Sequence, residues 1–162
     1  MEIATLAHLK KELNQKSSAE LVQICLRLAR FKKDNKELLN YLIFEAFDEE
    51  SYKMAIKEEL SELFQTINLS SVYYAKKTIR KNLRWLTKQI RYSGQKQTEV
   101  ELLIFFCQEF RQLSLPFSES RVLMNLYERQ LKTIEKSLKT LPEDLQFDYQ
   151  SEVDEINAPL PR

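Results

Sequence analysis

The sequence predicts an all-α fold, and three observations carry that expectation. Only one glycine, Gly94, occurs in 162 residues, against an average usage of about 7%, and no Asn-Gly, Asp-Gly or Gly-Gly dipeptide exists to close a β-hairpin. Leu, Lys, Glu, Gln and Arg dominate, all good helix formers. Apolar residues recur with helical spacing, as in Leu21, Ile24, Cys25 and Leu28 at i, i+3, i+4 and i+7.

Taken in order, a first helix is expected over 3–15, with Leu6, Leu9 and Leu13 on one side. Ser17-Ser18-Ala19-Glu20 reads as a capping box that opens a second helix running to about Lys33. Asp34-Asn35-Lys36-Glu37 supplies another acidic cap. The run from Leu38 to Phe47 is apolar almost all round, which predicts a central, buried helix. Asp48 caps a fourth helix whose stripe is Tyr52, Ile56, Leu60, Leu63 and Ile67.

Ser70 or Ser71 opens a fifth helix that ends at Gly94, the one residue suited to a left-handed C-terminal position. Thr98-Glu99-Val100-Glu101 reads as a third capping box. The sixth helix it starts, Val100 to Leu113, holds Leu102, Leu103, Ile104, Phe105, Phe106 and Phe110 and is a second buried element. Leu115-Pro116 breaks it. A seventh helix spans about Glu119 to Thr140, and Pro142 allows a short turn at most.

Short connections favour antiparallel neighbours, so about seven antiparallel helices form a bundle or a short solenoid of helical hairpins. Residues 1–145 are expected as a single helical domain. Residues 146–162, acidic and ending with Pro159 and Pro161, are expected as a flexible, disordered tail.

The pattern Leu9-Lys10-Lys11-Glu12-Leu13, Ser17-Ser18-Ala19-Glu20-Leu21, then Lys33-Asp34-Asn35-Lys36-Glu37-Leu38-Leu39 with Tyr41-Leu42 resembles the opening of a family of small bacterial all-helical proteins classed as a domain of unknown function. The resemblance is carried mainly by residues 1–45, and the basic fifth helix is similar too. It implies a helical fold and brings no activity or catalytic residues.

Several kinds of chemistry are excluded by residue supply. One glycine cannot build a P-loop or a G-x-G-x-x-G turn. One histidine, His8, cannot build an H-E-x-x-H zinc site or a di-iron bundle. His8 is expected as a surface histidine, and Glu45, within an apolar run, as a carboxylate on a narrow exposed strip or paired with a lysine. Cys25 and Cys107 lie within apolar helical runs, too far apart in sequence to suggest a motif, and are expected as small buried residues. No catalytic, cofactor-binding or metal-ligating set is expected. No run approaches the ~18 apolar residues of a membrane span, and no secretory leader is evident, so the expected compartment is the cytoplasm.

The net charge of +1 hides segregation. Residues 34–68 hold nine acids and three bases, residues 69–98 eight bases and no acid, and residues 141–162 six acids and one base. Wound at about 100° per residue, helix five divides into three surfaces. Val72, Ala75, Ile79, Leu83, Leu86 and Ile90 face the core. Lys76, Arg80, Arg84 and Lys88 follow at i+4, with Lys77, Lys81 and Arg91 beside them. Tyr74, Trp85 and Tyr92 share a third face.

Two readings follow. The bases pair with the acidic fourth helix or the acidic tail while the aromatics pack inward, or the face meets a partner. The function expected is that of a non-enzymatic protein-interaction module contacting another protein through Tyr74, Lys76, Arg80, Lys81, Arg84, Trp85, Lys88, Arg91 and Tyr92. The alternative is nucleic-acid binding by the same face.

Overall fold

A computed structural model describes residues 2–161, among which there are eight α-helices and no strand. In order they are α1 (Leu6–Leu13), α2 (Ser18–Phe31), α3 (Lys33–Asn40), α4 (Glu49–Gln65), α5 (Val72–Ser93), α6 (Lys96–Arg111), α7 (Arg121–Leu138) and α8 (Glu143–Asn157). A single π-helical turn, Tyr41–Glu45, follows α3, and a 3-10 turn, Phe117–Glu119, precedes α7. The chain forms two compact units, Met1–Phe44 and Glu45–Arg162.

Local chemistry sets most boundaries. Ser17 and Glu20 complete the expected capping box: Ser17 Oγ accepts from the Glu20 amide at 3.2 Å, and Glu20 Oε2 accepts from the Ser17 amide at 2.8 Å. Asp48 Oδ1 accepts from the Ser51 amide at 3.1 Å and opens α4. Ser71 opens α5, and Gly94 closes it at φ +67°, a left-handed conformation costly to a residue with a Cβ.

Two expected caps are not formed. Helix α3 begins at Lys33 without a side-chain cap, and Asn35 Nδ2 instead donates to the Leu28 carbonyl at 2.9 Å, tying α3 back to α2. Helix α6 starts at Lys96, so Thr98 and Glu101 fall inside it. Thr98 is buried and bonds to Glu49, while Glu101 accepts from Lys53. Both side chains serve contacts between helices, which outcompete a local cap.

In the second unit α6 is the hub, packing on α4, α5, α7 and α8. Val100, Leu102, Leu103, Ile104, Phe106, Cys107 and Phe110 are buried, as expected for a central helix. Phe110 stacks on Phe117 at 4.8 Å and on Tyr127 at 5.1 Å between ring centroids, and Phe64 meets Phe106 edge-on at 5.4 Å. A buried polar lock crosses this core. Lys53 Nζ lies 2.7 Å from both Glu101 Oε1 and Glu50 Oε1, and the Tyr149 hydroxyl donates to the same Glu101 oxygen, so α4, α6 and α8 meet at one carboxylate. Burial pushes the Glu101 pKa up, but hydrogen bonds from Lys53 and Tyr149 outweigh it and hold the carboxyl below its ordinary value. Burial likewise opposes the Lys53 ammonium, and bonds to Glu101 and Glu50 raise its pKa above the usual lysine range.

The expected disordered tail is instead α8. Its Tyr149 and Ile156 side chains are buried. The Arg111 guanidinium donates to the carbonyls of Ala158 at 2.7 Å and Pro159 at 3.0 Å, and the Tyr127 hydroxyl donates to that of Ile156 at 2.6 Å. Few apolar residues suffice here because a cation and a phenol satisfy the carbonyls that a helix end leaves orphaned.

In the first unit α2 packs on α3, yet no residue of α1, α2 or α3 is buried. The expected central helix over Leu38–Phe47 is corrected accordingly. It consists of the end of α3, the π turn and a connection, and Tyr41 is its only buried residue. Phe44 is 61% exposed and Phe47 83%. A segment apolar on every side needs neighbours on every side, and about 40 residues cannot supply them. Cys25, expected buried, is exposed in α2, whereas Cys107 is enclosed in α6 and burial pushes its thiol pKa up to about 12.

Candidate functional site

The expected site residues all lie on α5, and their positions follow from which residues α5 buries. Ala75, Ile79, Asn82, Leu86 and Ile90 are buried at steps of three and four. The opposite side therefore carries Lys77, Arg80, Lys81, Arg84, Lys88 and Arg91 into solvent. Both α5 and α7 pack on α6, and the valley between them is a groove of about 710 Å³. From α5 it takes Arg80, Arg84, Lys88 and Arg91. From α7 it takes Asn125, Arg129 and Gln130, with Leu83, Val122 and Leu126 forming apolar ground between the cations. No carboxylate lines it.

Most of these bases have no acid partner among the described residues. Among the described residues, Lys77, Arg80, Lys81, Arg84, Arg91 and Arg129 make no ion pair with an acid. Two acids of α4 have partners other than the arginines, and a third is shifted by burial. Glu50 holds Lys53, Glu49 accepts from Ser93 and Thr98, and Glu59 is pushed up in pKa by burial and then by the charge of Glu62. Among the described residues no acid of α8 pairs with Arg80, Arg84, Arg91 or Arg129.

The three aromatics expected on one face are not gathered at the groove. Tyr74 is exposed and packs edge-on against Tyr73 at 5.4 Å between centroids, while Lys76 Nζ sits 5.8 Å from the Tyr73 ring. Trp85 and Tyr92 are half-buried and, like Lys76 and Lys81, lie outside the groove lining. Sequence reading missed Arg129, Asn125 and Gln130, because a groove needs two helices and α5 was considered alone. The signal was present: Val122, Asn125 and Arg129 repeat at i, i+3 and i+7 beside the buried Leu126.

The other titratable candidates stand apart. His8 Nε2 lies 3.7 Å from Glu12 Oε1, with both side chains exposed on α1. Glu45 is half-buried in the π turn. Among the described residues no group of three His, Cys, Asp or Glu side chains is placed to hold a metal ion, and no helix is long and apolar enough to cross a membrane. No family model, curated protein or solved structure matches this chain.

Proposed function

We propose that this protein is a non-enzymatic helical interaction module whose α5–α7 groove receives an anionic surface of another protein. One observation carries the reading: five cations line a groove without a carboxylate, and the four arginines among them make no ion pair with an acid among the described residues. Arginine charge held clear of counter-ions is costly to concentrate unless a ligand neutralises it, and its fork suits carboxylate or phosphate. The apolar ground of Leu83, Val122 and Leu126 favours a protein side-chain surface, which gains from burying it. The packing of α4, α5, α7 and α8 on one helix supports a bundle around α6 over a solenoid of hairpins.

A second reading, a nucleic-acid backbone in the same groove, is favoured by the unbroken positive lining. The charge reversal Arg80→Glu, Arg84→Glu, Arg91→Glu separates the two. The expected outcome is loss of partner capture from cell extract, unaffected by nuclease, with thermal stability changed by less than about 1 kcal/mol because these are surface charges. Capture abolished by nuclease, or oligonucleotide affinity whose log–log salt slope flattens by about 0.9 per lost contact, establishes the nucleic-acid reading instead. A large loss of stability, or capture unaltered by the reversal, removes the groove as the site.

A further inference from the structure

The first unit carries a different surface, and the chain contains the kind of helix that fits it. Between α2 and α3 runs a groove of about 750 Å³ with an apolar floor of Leu26, Leu39, Ile43 and Phe44. Arg30, Lys33 and Lys36 form its rim. Arg30 and Lys36 make no ion pair among the described residues, and Lys33 reaches only Glu37, at 3.4 Å, on an 85% exposed side chain. Residues 1–44 hold eight bases and five acids. The occupant such a groove selects is an amphipathic helix with an aromatic anchor and acidic flanks.

Helix α8 has that composition on its outer side. Residues 143–157 contain six acids and no base. Tyr149 and Ile156 face inward, which leaves Asp144, Phe147, Asp148, Ser151 and Asp154 outside at helical spacing. Phe147 is 81% exposed, and among the described residues of 82–161 no other large apolar side chain is so open.

We infer that two copies of this chain associate by seating the Phe147 face of α8 from each copy in the α2–α3 groove of the other. Phe147 meets Ile43 and Phe44, and Asp144 and Asp148 meet Arg30 and Lys36. A two-fold axis makes the exchange reciprocal, so the contact closes as a dimer and occurs twice. Doubling matters, because specific interfaces begin near about 1,200 Å² of buried surface and one helix-sized patch falls short of that. This association uses neither the bases nor the walls of the α5–α7 groove.

Sedimentation velocity on the full chain, from about 1 to about 200 μM, tests it. The wild type is expected to shift from monomer to dimer within that range, and less readily at high salt. Phe44→Ser and Phe147→Ser are each expected to weaken the dimer at least about tenfold. Both side chains are exposed, so circular dichroism stays unchanged. An equimolar mixture of the two variants restores only one of the two contacts, and is expected to associate more than either variant alone but less than the wild type. Arg30→Glu with Lys36→Glu is likewise expected to abolish the dimer and to recover it with a chain carrying Asp144→Lys and Asp148→Lys. A wild type that stays monomeric throughout, a dimer that survives Phe147→Ser, or a charge-swapped pair that remains monomeric would each overturn the inference.

Discussion

Residues 38–47 and 100–110 are nearly interchangeable as text, since both are dense in Leu, Ile and Phe on every side of a helix. Folded, they diverge. Phe106 and Phe110 are wholly buried, whereas Phe44 and Phe47 lie mostly in solvent. The difference is in the neighbours. Helix α6 is packed by four other helices, while α2 and α3 have chiefly each other. Apolar content thus measures the demand for burial, and the number of surrounding elements decides whether that demand is met within the chain or on a surface left for something else.

The contrast is sharpest at matched substitutions. Phe110→Ala is expected to cost about 3–5 kcal/mol, the usual range for emptying a packed aromatic site, and Phe44→Ala less than about 1 kcal/mol. Urea denaturation of the two variants measures both, and similar losses would erase the distinction between the regions. Helix α8 belongs with α6 rather than with a tail. Ile156→Ala, at a fully buried position, is expected to cost about 2–5 kcal/mol, and truncation after Gln146 to cost more. A truncated chain with the wild-type melting temperature would return α8 to the status of an appendage.

A smaller effect follows from the polar lock. The Glu101 pKa is lowered in the folded state from its ordinary 4.5, so its contribution is full above that value and is lost as pH falls through the folded one. The Lys53 pKa is raised from 10.5, so its contribution is full below that value and is lost as pH rises through the folded one. Glu101→Gln is therefore expected to destabilise by about 1–3 kcal/mol near neutrality. The gap to wild type is expected to narrow below about pH 4.5. A gap that stayed constant into acid would show that Glu101 is not held ionised by Lys53.

What the sequence made legible was whatever depends on near neighbours in the chain. The lack of glycine implied helices, Ser17, Asp48 and Ser71 opened them, and Gly94 closed α5 where a left-handed residue was needed. Helical spacing also told which side of α5 is buried. It could not tell what covers a face. Leu38–Phe47 was expected inside because its composition matches a core, and the tail outside because its composition does not. Yet Ile156 is enclosed through Arg111 and Tyr127, which lie 45 and 29 residues away. Thr98 and Glu101 fitted a capping pattern, but distant helices claimed both. The basic side of α5 was visible in the sequence. That its arginines make no ion pair among the described residues, and that Arg129 joins them, depends on how α5 and α7 lean on α6.

The two cysteines give this division a chemical clock. Cys25 sits open on α2, while Cys107 is closed within α6 with its thiol pushed up to about 12. Alkylation proceeds through the thiolate, so Cys25 reacts at the rate of an accessible thiol whatever the core is doing. Cys107 becomes reactive only when the packing around α6 opens, and its labelling rate then reads the free energy of that opening. One chain treated with one reagent thus carries both an accessibility standard and a reporter of core breathing, with no substitution required.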